Sequence, residues 1–319
     1  MSWPRRRVVM GIGAALGGCA LKDDPPMAGT PKPLIIAHRG ASGRLPEHTL
    51  EGYRLAASLG ADVIEPDLVF TKDGHLICRH DRYLSGSTNV SEKPEFAGRK
   101  RQEPGQKQAD WYAEDFTLEE IKNLKARQPF KGRDTRFDDQ YEIPTFAELL
   151  MEAKAKRWRL CPEAKQPDIA AALGHDFKVA LQPFFAAAQA REIGPSFIQC
   201  FDPAWLQTIE KMPNMERVQL IYHTSGDYDL AGIQGHCEAL GPNKGALVTP
   251  SLAASALCRD AQALGLKLYP WTFRSDQLPD GVNSPADEYA LFFGLGVDGV
   301  FSDHTADALA ARESWLRRL

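Results

Sequence analysis

Short apolar runs recur along the chain, and most are followed by a stretch with helical spacing. Pro33–Ala37 predicts a strand and Thr49–Leu59 a helix. Ala61–Phe70 predicts a second strand, closed by the turn Thr71-Lys72-Asp73-Gly74 and a returning strand at Leu76–Cys78. Further strands are expected at Arg159–Pro162, Ser196–Cys200, Val218–Tyr222, Ala246–Val248, Lys267–Trp271 and Gly299–Phe301. Helices are expected at Thr145–Lys156, where Thr145 is placed to cap, and at Phe177–Ala190, Ala204–Lys211, Ala253–Leu264 and Asp307–Leu316. The rhythm amounts to about eight strand–helix units, which predicts an α/β fold, a (β/α)8 TIM barrel, over an open doubly wound sheet.

Two polar segments interrupt it. Arg82–Tyr141 is too long for a simple loop and predicts a small, partly helical insertion after the second strand unit, with Thr117-Leu118-Glu119-Glu120-Ile121 as a capped helix start. Ser275–Asp287 is a second insertion. Both follow strand ends, the face on which barrels carry their chemistry. No G-x-G-x-x-G follows a strand and no P-loop occurs, so a nucleotide-binding fold is unsupported.

The N-terminus has a different character. Arg5, Arg6 and Arg7 precede the apolar run Val8–Leu16, which is shorter than the ~20 residues that span a bilayer. Leu16-Gly17-Gly18-Cys19 resembles a lipobox, so residues 1–18 are expected to be an export signal and Cys19 an acylated N-terminus. The arginine run also has a weak likeness to a twin-arginine signal. Residues 19–32 then form a Pro-rich tether and 33–319 the catalytic barrel. The expected location is the periplasm, lipid-anchored; Ala20 after Cys19 favours the outer membrane. Losing three arginines and no acid takes the net charge from −4 to −7, which argues against a nucleic-acid partner. Beyond Cys19 five cysteines remain; an odd number is no disulfide framework, and Cys78, Cys161 and Cys200 fall in apolar runs as core residues, with a Cys237–Cys258 bridge left open.

Ionisable residues collect where the apolar runs finish: His38-Arg39-Gly40, Glu65-Pro66-Asp67, Arg79-His80-Asp81 and Glu163-Ala164-Lys165. Glu65 and Asp67 are two apart and share a strand face, as do Glu163 and Lys165. Inward carboxylates repel unless a proton or cation lies between them. Glu65, Asp67 and Glu163 make a hard-oxygen set suited to Ca²⁺ or Mg²⁺, not a structural zinc site; the competing reading is an ion-pair network with Arg39 and Lys165. His38 and His80 suit acid–base catalysis near neutral pH, and Arg39 offers a planar fork for phosphate. Together they point to phosphodiester cleavage.

At these residues the chain resembles the glycerophosphodiester phosphodiesterases. The matching strings are His38-Arg39-Gly40-Ala41-Ser42, Pro46-Glu47-His48-Thr49, Glu65-Pro66-Asp67-Leu68-Val69, Thr71-Lys72-Asp73-Gly74, His80-Asp81, Pro162-Glu163-Ala164-Lys165 and Gly296–Asp303, in order over nearly the whole mature chain. Ile198–Asp202, Thr272–Asp276 and the long insertion resemble the exported periplasmic type. The resemblance implies a barrel hydrolase releasing sn-glycerol 3-phosphate and an alcohol from glycerophosphodiesters, with one divalent cation on Glu65, Asp67 and Glu163, usually Ca²⁺ in this type and Mg²⁺ otherwise. It implies acid and base roles for His38 and His80, phosphate contacts for Arg39 and Lys165, a glycerol contact for Trp271, and Glu47 as glycerol contact or extra ligand. His48 stands where most members have Asn and receives no catalytic role. The other readings are a related barrel phospholipase acting on intact lipids and a non-catalytic binding lipoprotein. Membrane contact is expected through the anchor alone, and the oligomeric state is not legible.

Overall fold

The structure is a computed structural model that describes residues 32–223 and 228–319. The export signal, Cys19 and the tether up to residue 31 lie outside the described residues. Eight parallel strand segments close into a barrel. Strand β1 (Leu34–His38) pairs with β2 (Val63–Glu65) on one side. Pro66 has no N–H and splits the second barrel strand into β2 and β3 (Asp67–Phe70), but its carbonyl still accepts from Glu163 N at 2.9 Å. The antiparallel β4 (Leu76–Cys78) returns along β3 as expected. The third barrel strand runs from Leu160, bridged to Ile64, into β5 (Glu163–Ala164). Then β6 (Ser196–Cys200), β7 (Met215–Ile221), β8 (Ala239–Pro242) and β9 (Lys267–Leu268) follow in parallel order. The last strand, β10 (Gly299–Ser302), pairs with β1. Closure onto the seventh strand is by Asp298 N to Leu268 O at 2.9 Å, Phe301 N to Pro270 O at 3.1 Å and Phe273 N to Phe301 O at 2.8 Å.

Strand parity sorts the side chains. Ile36, Val63, Cys161, Phe197, Val218 and Phe301 fill the barrel interior, while their neighbours Ile35, Ile64, Ile198 and Val300 face the helices. The helices that cover the outside include α1 (Leu50–Leu59), capped by Thr49, and α3 (Phe146–Lys156), where Thr145 and Glu148 form a capping box. The expected insertion packs Leu84, Phe96, Trp111, Phe116 and Ile121 into an apolar cluster with Val69 of β3 and Ile77 of β4, and helices of one or two turns dominate it. Its one α-helix among the described residues, α2 (Leu118–Lys122), starts at Thr117 with a full capping box.

Several boundaries differ from the sequence reading. Ala246–Val248 is not a barrel strand: Lys244–Leu247 is a single-turn helix, and the sixth strand is β8, one segment earlier. Its Gly241-Pro242 end reads as a turn, yet a Cβ at Gly241 would lie 2.5 Å from Leu220 Cδ2, so close packing requires the glycine. The strand expected at Arg159–Pro162 is shifted onto β5. Phe177–Ala190 is broken at Leu181 into Phe177–Ala180 and Gln182–Gln189. Ala204–Lys211 shortens to Pro203–Gln207, and Ala253–Leu264 to Ala256–Ala263 behind a Ser255 cap. The second insertion ends earlier than expected, because Ser284 caps a helix over Pro285–Gly294. Cys237 and Cys258 are buried free thiols, as are Cys78, Cys161 and Cys200. Among the described residues no helix is long and apolar enough to cross a membrane.

Gly40 ends the turn after β1 at φ +82°, and a Cβ there would lie 2.8 Å from the backbone carbon of Gly52. Gly40→Ala is therefore expected to destabilise the fold by about 2–4 kcal/mol, from the left-handed backbone and the clash with α1. A urea midpoint equal to that of the parent protein would contradict this packing.

Candidate active site

The first four barrel strands deliver inward side chains at their C-terminal ends, and register makes them neighbours. His38 stands opposite Glu65, Asp67 opposite Glu163, and Glu163 opposite Gln199. The polar residues thus continue the apolar interior as its top layer. His38, Arg39, Glu65, His80, Glu163, Lys165 and Trp271 line one cavity of about 400 Å³. Asp67 lies behind it, 99% buried.

Glu65, Asp67 and Glu163 each offer an oxygen within 4.8 Å of the others, and all are buried. Burial and the Asp67 charge push Glu65 well above the usual carboxylate range. Burial lifts Glu163 to about 8, against the pull of Lys165 at 2.9 Å. Asp67 goes the other way: burial opposes ionisation, but Lys165, the His48 hydrogen bond, His80 and Arg39 hold it well below the usual range. His48 Nε2 is 3.0 Å from Asp67 Oδ2, and its Nδ1 is 2.8 Å from the Tyr53 hydroxyl. His48 is thus a fully buried support for Asp67, in keeping with its having no catalytic role. Gln199 Nε2 donates to Glu65 Oε1 at 2.9 Å, while Gln199 Oε1 is buried without a partner. Two carboxyls driven towards protonation, a third kept ionised and an orphaned amide oxygen form an oxygen-only set, which fits a hard divalent cation.

Around this set the cations are fixed. Arg39 has φ 60°, a strained conformation for a non-glycine residue, and its N donates to Glu65 Oε2 at 2.8 Å. Arg39 Nη1 donates to Glu47 Oε2 at 2.7 Å; Nε lies 3.2 Å from Asp67 Oδ2 without hydrogen-bond geometry. Glu47 does not line the cavity. It sits beneath Arg39 and Arg79, which overcome its burial and hold it at about 2.

The two histidines differ. His80 is partly exposed, with Nδ1 2.8 Å from Asp81 Oδ1. His38 is buried, with Nδ1 2.6 Å from Asp303 Oδ1. Burial and the adjacent Arg39 lower His38 to about 4, so it is neutral at pH 7 despite Asp303. Asp303 is ionised: burial opposes this, but His38, Arg274 and Arg133 hold it far below the usual range. Asp303 Oδ2 accepts from Arg133 Nη2 at 2.7 Å and Arg274 Nε at 2.9 Å. An ionised carboxylate accepts only, so Nδ1 of the neutral imidazole must carry the hydrogen, which leaves Nε2 as the basic nitrogen.

Asp303, Gln199, Arg133 and Arg274 were not among the expected site residues. Asp303 directly follows β10, and Gln199 interrupts the apolar strand β6 two residues after inward Phe197; both obey the strand-end pattern that found the others. Arg133 comes from the insertion, 170 residues from Asp303 in sequence, and carries no local signal. Trp271 donates Nε1 to Gly241 O at 2.8 Å and meets Phe201 edge-to-face at 5.7 Å.

The sequence profile of the glycerophosphoryl diester phosphodiesterase family matches residues 38–307. The chain belongs to that family. It is 30% identical over 315 residues to a glycerophosphodiester phosphodiesterase of Arabidopsis thaliana, covering 86% of this chain and 85% of that protein. It is 29% identical over 326 residues to the Haemophilus influenzae glycerophosphodiester phosphodiesterase, covering 85% and 87%. An Oleispira antarctica phosphodiesterase solved with the product sn-glycerol-3-phosphate shares the fold, with TM-score 0.64, 21% identity and coverage of 88% and 97%. The expected family, enzyme class and barrel are thereby borne out.

For this family member, Asp303→Asn is expected to lower kcat on a glycerophosphodiester by about 10²-fold, because the wrong imidazole nitrogen would then be free to carry the hydrogen. Full turnover in a folded Asp303→Asn protein would show that the pair does not set the state of His38.

Proposed function

We propose that the protein hydrolyses glycerophosphodiesters to sn-glycerol 3-phosphate and an alcohol, with His38 and His80 transferring protons and Glu65, Asp67 and Glu163 holding one divalent cation. The observation that carries this reading is the convergence, on one cavity, of a neutral His38 with a free Nε2, a second histidine, the cationic Arg39, Lys165 and Arg274, and Glu65 and Glu163, with Asp67 completing the carboxylate cluster just behind them. A cation bound there supplies positive charge against phosphate oxygens, Ca²⁺ in preference to Mg²⁺.

The side chains do the rest. Arg39 and Lys165 face the cavity from opposite partners, Glu47 and Glu163, and orient a phosphate between them. Trp271, edge-to-face with Phe201 and tilted against Tyr222, offers an apolar wall for the glycerol carbons. His38 Nε2 accepts the proton of the attacking oxygen: either a water, which gives sn-glycerol 3-phosphate directly, or the adjacent glycerol hydroxyl, which expels the alcohol and leaves a cyclic phosphate that a water then opens to sn-glycerol 3-phosphate. A tethered hydroxyl gains effective concentration. His80, held at Nδ1 by Asp81, gives a proton to the departing alcohol.

His38→Ala and His80→Ala should each lower kcat by about 10²-fold or more without unfolding the barrel. The decisive assay follows glycerol 3-phosphate release from several head groups with and without Ca²⁺. Chelation should abolish release and Ca²⁺ restore it. Near-normal turnover in either variant defeats the histidine assignment, and indifference to chelator defeats the cation.

Export and anchoring rest on Arg5–Arg7, the short apolar run and the lipobox-like Leu16–Cys19. The full chain expressed in a bacterial host should partition with membranes, and Cys19→Ala should release it to the soluble periplasmic fraction. Equal partitioning of the two forms would remove the acyl anchor from this picture.

A further inference from the structure

A second cavity, of about 740 Å³, adjoins the first and shares His80, Glu163, Lys165 and Phe201 with it. It opens on the His80 side, and its outer wall comes from the start of the insertion, including Arg82, Tyr83 and Glu103. Since His80 is placed to protonate the departing oxygen, this is where the alcohol half of a diester would lie. The inference below rests on that reading of the reaction.

The cavity has a definite chemistry. With the Glu163–Lys165 pair set aside, its charged walls are Asp81, Glu103, Asp168 and Asp202 against Arg82. Arg82 is already answered twice, by Glu103 at 2.8 Å and by Glu114. Asp202 uses its carboxylate on the backbone N–H groups of Ala204 and Trp205 and meets no cation among the described residues. Asp168 is exposed at the start of a short helix, and it too has no salt bridge among the described residues. Arg101, just outside the lining, also pairs with Glu103 at 2.7 Å, and His80 with Asp81, so the negative charge left in excess is that of Asp168 and Asp202. Two aromatic side chains, Tyr83 and Phe201, are each 38% exposed on the same walls. Carboxylates beside open aromatic faces favour an organic cation. Arg82, with a side chain only 10% exposed, keeps Nε buried without a partner, a donor left for a ligand oxygen.

We propose that this second cavity is the leaving-group subsite and that it selects amino alcohols, primary or quaternary, over neutral polyols. The insertion then sets head-group preference, while the barrel mouth performs the cleavage. The attraction is electrostatic at a partly open site, so it weakens with salt.

The test is kcat/KM for sn-glycerol 3-phosphate release by the full-length protein supplied with Ca²⁺. The substrates are glycerophosphocholine and glycerophosphoethanolamine against glycerophosphoglycerol and glycerophosphoinositol. The two substrates with cationic head groups should exceed the two with neutral head groups by about tenfold or more, with the ratio shrinking at high salt. Asp168→Asn and Tyr83→Leu should each cut that ratio by about threefold or more. A general loss of structure would lower all four substrates together and leave the ratio in place. Equal kcat/KM across the panel, or a ratio untouched by both substitutions, overturns the subsite. Release from none of the four overturns the diesterase reading itself.

Discussion

Three carboxylates buried around one point are the constraint that the rest of the mouth answers. Left alone, Glu65, Asp67 and Glu163 would repel across less than 5 Å in a poorly solvated barrel. The surrounding groups divide the burden. Lys165 and His48 keep Asp67 ionised, the Arg39 backbone and Gln199 hold the two oxygens of Glu65, and the remaining frustration shows in the raised Glu65 and Glu163. Such a site favours a bound cation over a bare cluster, and it draws the Arg39 N–H and the Gln199 amide onto Glu65. The strained backbone of Arg39 is in keeping with this: its N–H is needed at Glu65 and its guanidinium at Glu47.

His38 illustrates how the same economy reaches beyond the barrel. Its protonation state follows from burial and Arg39, its tautomer from Asp303. Asp303 in turn is clamped by Arg274, from the loop after the seventh strand, and by Arg133, from the insertion. Arg133 also reaches Asp276 at 2.7 Å, in the second insertion. The two polar segments that interrupt the strand–helix rhythm therefore meet over the carboxylate that orients His38. Both are part of the site's support, and the first also forms one wall of its second cavity.

How far this was readable from the chain varies by element. The strand ends were legible because the barrel interior is a layered core: where an apolar strand turns ionisable while keeping its parity, the side chain has nowhere to point but the mouth. That argument reaches His38, Glu65, Asp67 and Glu163, and it extends to Gln199 and Asp303. It placed the sixth strand wrongly, since Gly241 and Pro242 look like a turn and are instead the close-packed end of β8. The family resemblance put Glu47 at the front of the site, because a motif carries no depth; in the fold Arg39 and Arg79 draw that carboxylate underneath.

What the sequence determined by itself is the class of fold and the chemistry at each strand end, because periodicity and parity are local properties of a polypeptide. What tertiary structure alone decided is which distant groups share charge: Arg133 with Asp303, His48 with Asp67, and the insertion's Glu103 with the cavity beside His80. Those pairings depend on distances through space across a closed barrel, and electrostatic energies in a buried site change with each ångström, for which the order of residues along the chain holds no measure.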